Sequence, residues 1–121
     1  MRATSRIADV AFNSVARLLI DDGKACSEYQ DRAFRELPCK RLQLDEIWSF
    51  VYAKAKNVKD AKAAPEMAGD VWTWVAIDAD TKLVSSWMVG DRSGDTARVF
   101  AADVAARLAG RVKLTTDRRL T

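Results

Sequence analysis

The sequence lacks histidine, and its 121 residues include only two cysteines, Cys26 and Cys39. Without histidine the chain cannot form the Ser/His or Cys/His pairs that activate many catalytic nucleophiles. Two cysteines without histidine also cannot complete a tetrahedral zinc site of the usual kind. We therefore predict two reduced thiols and no zinc site. Any catalysis must rest on carboxylates, lysines or a metal ion.

Long hydrophobic runs are also missing. No stretch approaches the roughly 18 apolar residues that a membrane-spanning helix needs, and no basic and then apolar leader is recognisable. We therefore predict a cytoplasmic protein with no membrane partner. The composition, 49% hydrophobic and 31% charged, is typical of a globular chain. Twenty basic and seventeen acidic residues give a net charge of +3, which permits a nucleic-acid partner without requiring one.

The most distinctive stretch is RLQLDEIWSFVY, residues 41–52. Its composition favours a β-strand, in which Leu42 and Leu44 point to one face while Asp45 and Ile47 point to the other. The neighbouring large apolar residues make a solvent-washed strand a poor expectation. A carboxylate in such surroundings is costly unless a cation, a metal ion or hydrogen-bond donors compensate it. We therefore expect that Asp45 is not washed by solvent, and it is the first residue whose role has to be explained.

The N-terminal part of the chain predicts helices. Residues 1–8 are compatible with a first helix, and residues 9–11 can form a turn. Residues 12–22 then place apolar side chains at the i, i+3, i+4 spacing of an amphipathic helix. Gly23 is expected to end this helix, and a further helix is predicted over residues 24–37.

Helix, short turn and second helix form the outline of a helix-turn-helix. The outer face of the second helix carries Asn13, Ser14 and Arg17. In a helix-turn-helix these side chains would enter the major groove and contact base edges or phosphates. The alternative is an ordinary amphipathic helix with a solvated polar face.

The remainder of the chain predicts a sheet domain. Pro38 must end the helical part, so we place the domain boundary there, with a helical segment at 1–38 and the sheet domain at 39–121. Asp95 is a good candidate N-cap for the helix of this domain. The predicted elements, in order, are strands at 41–52, 71–78 and 83–89, a helix at 96–109 and a strand at 112–116. The fold class is therefore α/β: N-terminal helices followed by a mixed sheet in the order strand-strand-strand-helix-strand.

The connection over residues 53–70 has no strand period, and we predict a long exposed loop. It carries four lysines, Lys54, Lys56, Lys59 and Lys62. A connection of this length suggests either disorder or a binding role. The lysines would then contact phosphates, or they are simply solvated side chains of a basic loop.

Trp72, Trp74 and Trp87 follow the strand period and are expected to pack in the core or across strands, with base stacking as the minor alternative. Asp78 and Asp80 end a predicted strand and are expected to be turn residues. A catalytic role is the minor alternative for both.

Two aspartates are predicted to lie on neighbouring strands. The first three strands predict an antiparallel meander, and the last strand can return parallel to the first through a right-handed crossover. Asp117, at the end of the last strand, would then approach Asp45. Two close carboxylates repel unless a divalent cation bridges them, and oxygen ligands without histidine favour Mg²⁺ or Mn²⁺. Such ions commonly support attack on phosphodiesters. An aspartate at a strand end is otherwise a cap or a solvated residue.

Four segments together resemble the insertion-sequence-one family of bacterial transposases. They are RATSRIADVAFNSVARLLIDDGKACSEYQDR, LPCKRLQLDEIWSFVYAKAKNV, GDVWTWVAIDADTKLVSSWMVGDR and VKLTTD. The resemblance implies a ribonuclease-H-like catalytic fold with a DDE active site that binds Mg²⁺ or Mn²⁺. It implies double-stranded DNA as partner, with cleavage and strand transfer at terminal inverted repeats. Asp45 matches the first catalytic aspartate and Asp117 the second, while Asn13, Ser14 and Arg17 fall on the exposed face of the DNA-binding module.

The chain departs from the family pattern at the third carboxylate. All four glutamates, Glu28, Glu36, Glu46 and Glu66, precede Asp117, so none takes the position of the catalytic glutamate. We therefore expect a fragment truncated at both ends that is inactive alone and associates with itself or with a full-length transposase. An incompletely covered sheet would also make it poorly soluble. The alternative is a DNA-binding remnant that inhibits the full-length enzyme.

Overall fold

The computed structural model describes residues 1–116 as helices followed by a four-stranded mixed sheet. The chain divides into two compact units, Met1–Arg35 and a second unit that begins at Glu36, close to the boundary predicted after residue 38. In the part of the chain that the structure describes, no helix combines the length and apolar character needed to cross a membrane.

The first unit consists of helix α1, Arg2–Ala8, and helix α2, Phe12–Ala33. Asp9 ends α1 in the left-handed conformation, with φ of 54°, and the Ser5 hydroxyl donates a hydrogen bond to the Val10 carbonyl. Aspartate is among the few residues that adopt this conformation readily. The predicted turn at residues 9–11 is therefore present.

Helix α2 runs without interruption through Gly23. The predicted end at Gly23 is wrong, because glycine within a helix costs only about 1 kcal/mol relative to alanine and Gly23 does not adopt the positive φ of a helix terminus. The helix instead ends at Ala33, before Pro38 can affect it.

The first unit has no fully buried residue in either helix. The predicted apolar stripe does not form a core, since Leu19 is 59% exposed and Phe12 is 42% exposed. A helix gains most of its stability in a protein from packing of its apolar face. The first unit therefore receives little stabilisation from within itself.

The second unit is built on strands β1, Arg41–Val51, β2, Gly69–Asp78, β3, Val84–Gly90, and β4, Lys113–Thr116. Their order in the sheet is β3-β2-β1-β4. As predicted, β1, β2 and β3 form an antiparallel meander, and β4 lies beside β1 and parallel to it. Helix α3, Gly94–Arg107, lies between β3 and β4 in the sequence and supplies the crossover that a parallel neighbour requires.

Helix α3 covers one face of this sheet. The core consists of Leu42, Trp74 and Ala76 from the strands, with Phe100 and Val104 from the helix. The rings of Trp74 and Phe100 lie 5.9 Å apart. Burial of these side chains removes apolar surface from water and holds the helix on the sheet.

The N-cap of α3 is Ser93, whose hydroxyl oxygen accepts a hydrogen bond from the Thr96 amide. The predicted cap, Asp95, instead lies in the first helical turn and forms an exposed ion pair with Arg98. Both residue types cap helices well, so the sequence offers two candidates two positions apart. Only the structure distinguishes them.

The connection between β1 and β2 is more ordered than predicted, since residues Ala55–Asp60 form a 3-10 helix. The Asp70 carboxylate accepts a hydrogen bond of 2.8 Å from the Ala55 amide, and the Tyr52 hydroxyl donates to the Lys62 carbonyl. Gly69, at φ of 132°, occupies a conformation that side chains disfavour. These contacts hold the connection against the end of the sheet.

Candidate metal and nucleic-acid contact sites

Asp45 lies on the face of the sheet opposite α3 and is exposed. The expectation that Asp45 is shielded from water is therefore wrong. The strand alternation correctly separates Leu42 from Asp45, but Ile47, on the same face as Asp45, is also 56% exposed. The apolar neighbours on this face do not enclose the carboxylate, because only the other face carries a helix.

An open depression of about 350 Å³ lies beside Asp45 where β1 meets β4. Thr116, the last residue that the structure describes, pairs with Leu44, the residue next to Asp45. The predicted partner Asp117 lies outside the described residues. The depression is lined by Gln43, Leu44, Asp45, Ile77, Thr115 and Thr116.

The Asp45 carboxylate already has one internal partner. Its Oδ1 accepts a hydrogen bond of 2.8 Å from the amide of Glu46. Within the described part of the chain, no cationic side chain forms an ion pair with Asp45. One carboxylate oxygen is thus oriented by the backbone, and neither oxygen forms an ion pair with a cation of residues 1–116.

The donor set at this depression fits part of a magnesium site. Mg²⁺ is often held by one or two carboxylates, with water and substrate phosphate completing its coordination. Asp45 supplies one carboxylate, and Gln43 and Thr115 add side-chain oxygens to the lining. Among residues 1–116, no group of three or more His, Cys, Asp or Glu side chains is arranged to hold a metal ion. The described residues therefore provide one strong ligand.

Glu46 points to the α3 face and is not a ligand on the Asp45 face. Its side chain is only 6% exposed, and its Oε2 lies 2.7 Å from Nε of Arg92. The strand period predicts this opposite orientation from Asp45. Glu46 therefore contributes an internal ion pair and does not replace the missing third carboxylate.

Asn13, Ser14 and Arg17 lie on an exposed face of α2, as predicted. Together with Leu18 and Asp21 they line an open depression of about 390 Å³ in the first unit. Arg17 lies four residues after Asn13 and three after Ser14, so its side chain neighbours both on the helix surface, and all three line the same depression. Asp21 adds a negative charge that would oppose a phosphate at that end of the depression.

The four loop lysines Lys54, Lys56, Lys59 and Lys62 are exposed. The loop follows Val51, and the strand from Asp45 to Val51 spans roughly 20 Å at about 3.3 Å per residue. The structure therefore does not bring the lysines to Asp45. Lys54 instead folds back over the Trp48 ring, on the face of the sheet opposite Asp45.

Asp78 is a structural turn residue, as expected. Its carboxylate accepts hydrogen bonds from the Thr81 hydroxyl at 2.7 Å and the Asp80 amide at 3.2 Å. These donors, with the Thr81 hydroxyl first, lower the pKa of Asp78. Burial, and then the negative charge of Asp78, raises the pKa of the nearby Cys39 thiol, so Cys39 is not an activated nucleophile.

A second group of aromatic and cationic residues was not predicted from the sequence. Arg92 Cζ lies 4.8 Å from the centre of the Trp72 ring, and Lys54 Nζ lies 5.4 Å from the centre of the Trp48 ring. Each distance is within the range of a cation–π contact. The strand register places Trp48 directly opposite Trp72, so the pair of rings could have been found from the strand pattern. The two cations lie in loops, whose positions the strand pattern does not predict.

Comparison of the chain with protein-family models, with curated proteins and with solved structures gives no significant match.

Proposed function

We propose that this chain is a DDE-type transposase of the insertion-sequence-one family, with a ribonuclease-H-like sheet. The observation that carries the proposal is the parallel pairing of β4 with β1, which ends with Thr116 beside Leu44. This pairing supports a site at which the end of β4 meets Asp45. The sequence resemblance supplies the reaction, which is metal-dependent cleavage and strand transfer of double-stranded DNA at terminal inverted repeats.

In this proposal Asp45 and Asp117 hold Mg²⁺ or Mn²⁺. Of two ions bound there, one would activate an attacking hydroxyl and the other would stabilise the leaving oxygen of a phosphodiester. The Glu46 amide orients the Asp45 carboxylate through its hydrogen bond to Oδ1. The open depression leaves room for a phosphate beside that carboxylate.

The proposal requires a third carboxylate that the described Asp45 face does not provide. Glu46 is committed to Arg92 on the opposite face. We therefore propose that strand transfer depends on association with a full-length transposase, because a further copy of this chain carries the same four glutamates and supplies no third carboxylate. We expect the purified chain alone to show no strand transfer on an inverted-repeat duplex.

Metal binding by Asp45 can be tested with Mn²⁺, whose unpaired electrons broaden nearby amide resonances. We expect Mn²⁺ to broaden the amides of Leu44, Glu46 and Thr116 in the wild type, and this effect to be lost in Asp45→Asn. Asp95→Asn is the matched control, because it removes an exposed aspartate whose side chain is 90% accessible in α3. Equal broadening in wild type and Asp45→Asn would contradict the proposal that Asp45 binds the metal ion.

A second candidate function is DNA binding without catalysis, which the exposed row of Asn13, Ser14 and Arg17 favours. A recognition helix contacts bases through its N-terminal residues, and these three lie within the first turns of α2. Such a chain would occupy the terminal repeats of the transposable DNA and inhibit a full-length transposase. This candidate needs no metal at Asp45.

The DNA-binding candidate predicts salt-dependent binding to terminal-repeat duplexes. Arg17→Ala should weaken binding and reduce the salt slope by about 1, as expected for one lost phosphate contact. Arg32→Ala is the matched control, since Arg32 lies over the Tyr29 ring near the other end of the same helix. Equal losses in the two variants would indicate nonspecific attraction by net charge, and no binding at low salt would exclude the candidate.

A further inference from the structure

We propose that an aromatic surface on the α3 side of the sheet binds single-stranded nucleic acid. Trp48 pairs directly with Trp72 across β1 and β2. Phe50 lies two residues farther along β1, with its ring centre 5.8 Å from that of Trp48. We call these three rings the aromatic platform. The proposal does not depend on the transposase function, because Asp45 lies on the other face.

The aromatic platform lies on the core side of the sheet but outside the core. The buried helix residues Phe100 and Val104 pack against the other half of this face, where Leu42 and Trp74 lie. Trp48 and Phe50 remain 41% and 47% exposed. The face is therefore divided into a half covered by α3 and an accessible half formed by the platform.

Two cations lie against the platform. Lys54 Nζ is 5.4 Å from the centre of the Trp48 ring, and Arg92 Cζ is 4.8 Å from the centre of the Trp72 ring. Arg92 is fixed by its ion pair with Glu46, whereas Lys54 is exposed and precedes the lysines of the 3-10 helix. The charge of Arg92 is therefore balanced by Glu46, and the Asp70 carboxylate lies opposite Phe50. Lys54 is consequently the cation that the platform offers to a phosphate.

Exposed rings with an adjacent lysine match the chemistry of unpaired nucleotides. Each unpaired base offers a π-face for stacking, and its phosphate offers a negative charge. A duplex keeps its base faces stacked inside, so it cannot use Trp48 and Phe50 in this way. A second copy of this chain docked through the same surface would bring its own Lys54 and Asp70 and no phosphate, so it would not match Lys54 as a nucleotide does.

The first test measures binding to a labelled oligothymidylate of about 15 nucleotides, followed by fluorescence anisotropy in buffer with a metal chelator. We expect Trp48→Ala and Phe50→Ala each to weaken binding on the order of tenfold, through loss of one stacked base. Trp87→Ala is the matched control. Trp87 is similarly exposed, at 45%, but it shares the Asp45 face and should leave binding unchanged.

The second test separates stacking from charge by comparing the salt dependence of binding in a lysine variant and in an aromatic variant. We expect Lys54→Gln to lower the salt slope of oligothymidylate binding by about 0.7, as one lost phosphate contact on a single strand does. Lys113→Gln removes the same charge at the other end of the sheet and should leave the slope unchanged. Trp48→Ala should retain the wild-type slope.

Several outcomes would overturn the proposal. Equal weakening by Trp48→Ala and Trp87→Ala would show that the effect is not specific to the platform. Tighter binding to duplex than to single strand would contradict base stacking, and a change of sedimentation coefficient in Trp48→Ala would assign the platform to self-association. Asp45→Asn should leave single-strand binding intact, so failure of the metal site and failure of the platform are distinguishable.

Discussion

Nε of Arg92 lies 2.7 Å from Oε2 of Glu46, and the same guanidinium lies over the Trp72 ring. Because the Glu46 side chain is only 6% exposed, Glu46→Ala should destabilise the fold by about 1–3 kcal/mol, measured by urea unfolding. The matched control is Arg98→Ala, which breaks the exposed pair with Asp95 and should change stability by less than about 0.5 kcal/mol. Equal effects in both variants would contradict the internal role of Glu46.

Asp91 gives the second unit a defined acid sensitivity. Hydrogen bonds from the Ser93 and Thr96 side chains, and then from the Ser93 amide, lower the pKa of Asp91 from 3.8 to about 2. Because the pKa of Asp91 is lower in the folded state than in the unfolded state, the ionised carboxylate stabilises the fold. This stabilisation is complete above the ordinary pKa and is lost as pH falls from about 4 toward 2. In Asp91→Asn the urea unfolding midpoint should therefore change less with pH over this range than in the wild type. Asp95→Asn should keep the wild-type pH dependence of the midpoint.

Asp45→Asn should have almost no effect on stability, with a change below about 0.5 kcal/mol. The carboxylate is exposed, and the asparagine carbonyl oxygen can still accept the hydrogen bond from the Glu46 amide. Thermal unfolding of wild type and variant checks this expectation. A large loss of stability would instead identify Asp45 as a structural residue, and any loss of metal binding in the variant would then have to be attributed to misfolding.

Gly23→Ala should stabilise α2 locally by about 1 kcal/mol, because Gly23 is in an uninterrupted helix and a Cβ added there meets no atom within 4 Å. Hydrogen exchange measured residue by residue should show slower exchange on both sides of position 23. Amides in α2 should still exchange faster than those of β1 and β2, since the first unit has no fully buried residue in its helices. Unchanged exchange around position 23 would argue against a continuous helix.

The exposed apolar side chains on the Asp45 face predict self-association. Ile47 and Val89 both pair with Thr73, so they lie in one row across the sheet, and they are 56% and 55% exposed. We expect Val89→Lys to lower the weight-average mass in sedimentation at high protein concentration, because a charge interrupts the apolar row. Val99→Lys on α3 is the matched control, at 58% exposure. A monomeric wild type would contradict this prediction.

The strands were predictable from the sequence because their alternation is strong. Leu42 and Asp45 were assigned to opposite faces, and the parallel return of the last strand followed from the intervening helix. Alternation does not say which face a helix will cover, and this is why Asp45 was wrongly expected to be shielded. Trp87 was expected to pack in the core or across strands; it pairs with Val75 across β2 and β3 and is 45% exposed, so it lies outside the core.

The sequence around a residue did not predict where α2 ends or which cations contact the tryptophans. Gly23 satisfies the composition of a helix end, yet the chain on both sides favours helix and continues through it. The contacts of Lys54 and Arg92 with tryptophans depend on how two loops fold back on the sheet. Such contacts between distant parts of the chain have no local pattern in the sequence.

The hydrogen bond from the Glu46 amide to Asp45 Oδ1 has a consequence for detection. Among residues 1–116, the pairing of β1 with β4 extends to Leu44, and the side chain of the next residue, Asp45, accepts the hydrogen bond of the Glu46 amide. An ion that drew electron density from the carboxylate would weaken that hydrogen bond. The Glu46 amide proton should then shift upfield even with diamagnetic Mg²⁺, so one backbone resonance serves as a built-in indicator of occupancy at Asp45.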